Sequence, residues 1–229
     1  MSELHELSTL QDPIHPDGEE SWDLLHTRNY VVKSYVTPDN NFVFRGAVAD
    51  DKPGELYLLE DPEGMRLHHM VVDLFVNRST LEISDVKVTF RAYPGIGCPA
   101  IAEKYKELIG TNLSRGFSKK VRETFGGPNG CSHTTALLLA MAPVSVQTMF
   151  SGRYYDLRKA SDEDRAQVAG VGRQNLARLN ANTCHVWAEG GEVLAGAREG
   201  APVAAPLPVQ LRCKSLGIDP SAWIKRVAE

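Results

Sequence analysis

The sequence predicts an α+β protein, with an N-terminal antiparallel sheet covered on one face by C-terminal helices. Three observations carry this. Between Tyr30 and Phe90 apolar residues alternate at a period of two, with turn signals between the runs. From Pro99 onward the apolar spacing becomes helical. The run Thr134 to Val146 is apolar nearly all round, which marks a buried helix.

Residues 1–22 are polar and acidic, hold Pro13, Pro16 and Gly18, and read as an arm. Tyr30 to Val36 is rich in β-branched and aromatic residues, and Thr37-Pro38-Asp39-Asn40 turns the chain. Phe42, Phe44, Gly46 and Val48 form the apolar face of a second strand. Asp50 to Gly54 reads as a polar break, and Glu55 to Leu59 as a further short strand. In the strand Leu67 to Asn77, His68 shares a face with Met70, Val72, Leu74 and Val76, so it should point into the core or at a site built against it. Leu81 to Phe90 reads as its antiparallel partner. Leu81 and Ile83 are out of phase with Val86, Val88 and Phe90, which predicts a bulge near Ser84-Asp85.

Pro99 suits the first position of a helix running to Ile109, ended by Gly110. Cys98 then lies at its start. A second helix, Leu113 to Phe125, exposes a basic face with Lys119 and Lys120. Three glycines and a proline in Gly126-Gly127-Pro128-Asn129-Gly130 make a tight turn before Cys131-Ser132-His133 and the buried helix, which should break or kink at Pro143. Ser161 with Asp164 starts a helix as a capping box, reaching about Asn180. Cys184 to Trp187 reads as a short β-like piece, and the proline-rich tail from Gly200 as irregular. One α+β domain over 23–198 and an irregular tail over 199–229 follow.

At 229 residues and 42% hydrophobic, the chain suffices for one sizeable core. A net charge of −4 without a basic stripe argues against nucleic acid. Ala136 to Val146 is short of the ~20 residues that cross a bilayer, and the N-terminus lacks an export signal. Four cysteines, widely spaced and without a C-x-x-C pair, read as reduced thiols, and the expected location is cytoplasmic. Phosphate-loop, G-x-S-x-G and H-E-x-x-H motifs are absent, and Gly170-x-Gly172 follows no strand.

Cys98 and Cys131 each stand at a helix start after a Gly/Pro loop. There the unpaired amides and the positive end of the helix dipole favour a thiolate or another anion. With His68 and His133 they form a candidate site. As Cys/His ligands, His68, Cys98, Cys131 and His133 suit Zn²⁺. As a catalytic set, His68, Tyr93, Cys131 and His133 supply acid, base and thiol, with Lys119 and Lys120 as substrate anchor.

Leu67-His68-His69-Met70, the strand Asp85 to Phe90, Tyr93-Pro94 with Cys98, Leu108-Ile109-Gly110 and Gly126-Gly127 through Gly130-Cys131-Ser132-His133 resemble a bacterial family of unknown function. That family is marked by a His-Asp-Met strand start, a Pro-Tyr…Cys segment and a Gly-Cys-Thr-His-Leu box. The resemblance covers roughly residues 23–190. His69 replaces the Asp, Tyr93-Pro94 reverses the pair, and Ser132 and Thr134 replace the Thr and Leu. The family's setting beside genes for the breakdown of aromatic compounds implies a catabolic enzyme.

The acid/base set joined to that setting points to a carbon–carbon lyase of retro-aldol type that releases an aldehyde from an aromatic compound, with a phenol ring as electron sink. A homodimer is compatible with it. A strand pair, a Cys at a helix start and a later Cys are also similar to U-type iron–sulfur scaffold proteins. That similarity implies a metal- or cluster-handling protein in which Cys184 would join Cys98 and Cys131. A non-catalytic structural domain with inert thiols is the third expectation.

Overall fold

The computed structural model describes residues 22–161, 177–178, 180–201, 205–221 and 223. The acidic arm and nearly all of the helix expected from Ser161 therefore lie outside the described residues. The chain divides at Tyr154/Tyr155 into two units, whereas the sequence suggests one domain over 23–198.

The first unit is built on a four-stranded antiparallel meander: β1 Thr27–Val36, β2 Phe42–Lys52, β3 Met65–Val76 and β4 Ile83–Ala92, side by side in chain order. One sheet face buries Phe44, Val48, Met70, Val72, Leu74 and Val76, the alternation read from the sequence. The expected bulge is present: Phe75 pairs with Asp85 and Val76 with Ile83, so Ser84 is skipped. β2 is longer than expected. It continues through Asp50 to Lys52, because Asp50 is partnered on both flanks instead of ending the strand.

The short strand expected at Glu55–Leu59 does not form. That segment is a closed turn held by Glu55 N–H to Asp61 O (2.8 Å) and Asp61 N–H to Leu58 O (3.1 Å). Gly64 is required at its exit: φ is +81°, and a Cβ would stand 2.2 Å from Lys52 O.

The helices α1 Phe117–Phe125 and α2 Ser132–Lys159, with the 3₁₀ helix Cys98–Leu108, supply the other half of the core. The segment expected as an α-helix from Pro99 is 3₁₀ throughout. Ala102, Tyr105 and Leu108 recur every third residue, which matches three residues per turn, and Tyr105 and Leu108 are fully buried. The second expected helix starts late, at Phe117 after Gly116 in the left-handed region, and buries Phe117, Val121 and Phe125.

α2 runs on through Pro143. By length and hydropathy this helix meets the requirement for a membrane span. Here it is a core helix, setting Leu137, Leu138 and Met141 at 0% exposure in the core cluster. The close approach is possible because β2 carries Gly46: a Cβ there would stand 2.7 Å from Met141 Sδ.

In the second unit, His185–Trp187 is a 3₁₀ turn, not a β-like piece, closed by Asn182 N–H to Trp187 O at 2.8 Å. Among the described residues the helices α3 Glu192–Arg198 and α4 Leu207–Leu216 follow. The irregular tail expected over 199–229 thus contains a helix. Pro206 is its N-cap and Pro208 sits in the first turn, where no needed N–H is lost, and Gly217 (φ +65°) ends it.

Candidate functional site

Strand register builds the site. The Thr37–Asn40 turn pairs Val36 with Phe42, and counting back eight residues on each strand sets Arg28 opposite Asp50. On its other flank Asp50 lies opposite His68. Asp50 continues the inward face of Phe42, Phe44, Gly46 and Val48, so its carboxylate is delivered into the core edge and is only 2% exposed. A charge in that position needs partners.

Arg28 supplies two charge-assisted bonds, Nε to Oδ1 at 2.6 Å and Nη2 to Oδ2 at 2.7 Å. His26 Nε2 stands 3.5 Å from Oδ1. His68 Nδ1 and His133 Nε2, from β3 and the first turn of α2, each lie 3.0 Å from Oδ2. The two imidazole rings stack, with centroids 3.9 Å apart and planes 25° from parallel.

The electrostatics follow from these contacts. The Arg28 bonds, against the opposing cost of burial, hold the Asp50 carboxyl at a pKa of about 2. Burial lowers the pKa of His133 below the ordinary imidazole value. His68 and Arg28 push the same way, and Asp50 opposes them. His133 is therefore neutral at pH 7. Its Nδ1 faces Cys131 Sγ at 3.9 Å. Cys131 caps α2, its C=O accepting from Thr135 N–H at 2.9 Å. Buried Tyr105 pins this residue: its hydroxyl accepts from Cys131 N–H at 2.8 Å and reaches Cys131 O at 3.4 Å.

His68 Nδ1 has no accessible surface and makes no hydrogen bond, because the Asp50 oxygen 3.0 Å away lies off the direction of its lone pair or N–H. Asp50, His68 and His133 each offer a ligand atom within 4.8 Å of the others, so the three could hold a metal ion. In tetrahedral zinc sites, bonds of ~2.0–2.2 Å put neighbouring ligand atoms roughly 3.3 Å apart. The 3.0 Å separations fall a few tenths of an ångström short of that spacing, so the ligand atoms would part slightly around an ion.

Of the residues singled out from the sequence, the structure brings together His68, His133 and Cys131. Among the described residues, Cys98 and Cys131 stay outside the metal-competent group. Cys98 opens the 3₁₀ helix, bonded through its N–H to Gly95 O. Tyr93 is exposed and packs edge-on against Phe90. Lys119 and Lys120 are exposed on α1, away from the buried stripe Phe117, Val121 and Phe125. Lys119 pairs loosely with Glu123 at 3.8 Å. Cys184 is exposed, in the second unit.

Sequence reasoning missed Asp50, Arg28 and His26. The signal for Asp50 was an acid in phase with the apolar face of its strand. The signal for Arg28 was its place opposite Asp50 once the turn is fixed.

No curated protein and no solved structure matches the chain. A family model, described as a protein of unknown function (DUF2889), matches residues 26–147, which is more than half of the chain. The match spans every residue of the cluster, from His26 to His133. The chain belongs to the DUF2889 family of proteins of unknown function.

Proposed function

We propose that the chain is a cytoplasmic small-molecule enzyme, a carbon–carbon lyase of retro-aldol type acting on an aromatic compound that bears a β-hydroxyl. The observation that carries this reading is one buried carboxylate in contact with two stacked imidazoles. Carboxylate-oriented imidazole is the usual side-chain means of moving a proton at neutral pH.

His68 is the base. Its Nδ1 lies 3.0 Å from Asp50 without a hydrogen bond, and Nε2 has no protein partner among the described residues, so it is free for a substrate hydroxyl. His68 takes the hydroxyl proton, and the oxygen lone pair becomes the C=O of the departing aldehyde. The carbon–carbon bond breaks, and its electron pair passes to an acceptor conjugated with the aromatic ring. The proton then returns to that carbon. Neutral His133, bonded towards Asp50 and close to Cys131, is the second proton carrier.

A second reading rests on the orphaned His68 Nδ1: Asp50, His68 and His133 would hold Zn²⁺, which would polarise the substrate oxygen. The Arg28 guanidinium, 2.7 Å from the same Asp50 oxygen, opposes a second cation there, so proton transfer is placed first. For a cluster scaffold, three gathered thiolates would be needed, and the group that the described residues offer contains no cysteine.

The test is a panel of aromatic β-hydroxy ketones and acids, with released aldehyde trapped as its hydrazone, alongside elemental analysis of the purified chain. Turnover that falls ~10²–10⁴-fold in His68→Gln, with no stoichiometric metal, supports the acid/base lyase. About one zinc per chain, lost in the same variant, moves the site to the second reading. Metal-free protein with no turnover on any member of the panel overturns both.

A further inference from the structure

The sheet face turned away from α1 and α2 carries a separate concentration of charge. Register places Lys33, Arg45, Asp73 and Lys87 in one row across the four strands. The adjoining row on this face is Val31, Ala47, Val71 and Thr89, and Arg91 stands on its far side. The small side chains of the middle row, between long ones, leave an open recess of about 340 Å³.

Arg45 spends its guanidinium on Asp73, with bonds of 2.6 and 3.0 Å. Lys33, Lys87 and Arg91 are exposed and have no ion-pair partner among the described residues. Four cations against one carboxylate leave three positive charges uncompensated on a chain whose net charge is −4. Lys33 also sits directly opposite Arg45, a like-charge cross-strand pair that costs stability by itself. His69, at the same recess, is pushed below the ordinary imidazole range by burial and then by Arg66 and Arg91, so its neutral form is favoured and it neither adds to nor offsets these cations. A bound anion would relieve this repulsion.

We propose that the recess binds a small organic anion with at least two negative charges, which pair with Lys33, Lys87 and Arg91 while its apolar body lies over Ala47 and Val71. A volume of this order suits a small molecule. A second copy of the chain fits poorly, because two-fold pairing would set the cationic face against itself. Carboxylates and phosphates share the required chemistry. The inference does not depend on the lyase reading, since it concerns the opposite side of the sheet.

The full chain is titrated calorimetrically with benzene-1,3,5-tricarboxylate, with inorganic pyrophosphate and with benzoate. One saturable site per chain for either polyanion, weakened by added salt, is expected, and benzoate should bind at least ten-fold more weakly. The tricarboxylate alone would identify a carboxylate ligand, and pyrophosphate alone a phosphate. The double variant Lys33→Gln, Lys87→Gln should lose at least ten-fold in affinity, with an unchanged or raised melting temperature. Arg115→Gln, at an exposed position in the turn before α1 and outside the recess lining, should bind like the parent. No saturable binding by the parent chain, equal binding of benzoate, or full binding by the double variant overturns the proposal.

Discussion

His68, on the third strand, and His133, in the first turn of the core helix, stack their rings 3.9 Å apart against a single carboxylate oxygen of Asp50. Burial, and then the neighbouring His68 ring and Arg28, lower the pKa of His133, while Asp50 opposes them. Tight packing at Gly46 fixes α2 against the sheet and so fixes the distance between the rings.

Acid should unfold the chain partly through Asp50. Its folded pKa of about 2 lies below the ordinary aspartate value of 3.8, so its contribution is complete above pH ~4 and lost as pH falls towards 2. The difference is worth on the order of 2 kcal/mol. Urea denaturation of Arg28→Gln should show a lower plateau near neutrality and a shallower loss of stability between pH 4 and 2 than the parent.

His133 adds a second pH dependence of the same sign. Its folded pKa lies below 6.5, so the unfolded chain binds the proton more readily. Stability from this group is full above pH 6.5 and declines as pH falls through the folded value. In His133→Gln, the decline that begins just below pH 6.5 should be missing from a series of denaturation curves.

His68→Gln and Cys131→Ala separate chemistry from folding. Neither side chain sits in the middle of the core, so both variants should melt within a few degrees of the parent. Aldehyde release should fall ~10²–10⁴-fold for His68→Gln, which removes the base, and less for Cys131→Ala, whose sulfur touches His133 and not Asp50. Parent-like activity in both would mean that the reacting group lies elsewhere.

Gly46→Val should destabilise the chain by about 1–3 kcal/mol, because its side chain has to displace Met141 and Leu137. Combining it with Met141→Ala should recover part of the loss, visible as a non-additive double-mutant cycle. The same substitution should lower activity, since moving α2 moves His133.

Much of the sheet could be read from alternation alone. The inward set Met70 to Val76, the placing of His68 with it, and the skipped residue at Ser84 all follow from a period of two and one break in phase. Helix type was less legible. Ala102, Tyr105 and Leu108 fit a 3₁₀ turn and an α-helical stripe about equally well, and the folded chain takes the former, with Tyr105 and Leu108 buried and the Tyr105 hydroxyl bonded to Cys131. Leu56 to Leu59 looked like a strand because they are apolar, yet without a partner strand they remain exposed in a turn.

The sequence by itself determined the fold class, the facing of the second to fourth strands, the pairing of the last two, and the nomination of His68, Cys131 and His133. These depend on periodicity and on glycine-rich turns, which are local properties. Tertiary structure decided that Asp50 is the centre, that Arg28 and His26 serve it, and that Cys98, Tyr93 and the Lys119–Lys120 pair do not join it. An aspartate at the end of an apolar strand looks like a stop signal. It becomes the organiser only when register brings an arginine to one flank and a histidine to the other, and a distant helix start supplies the second imidazole.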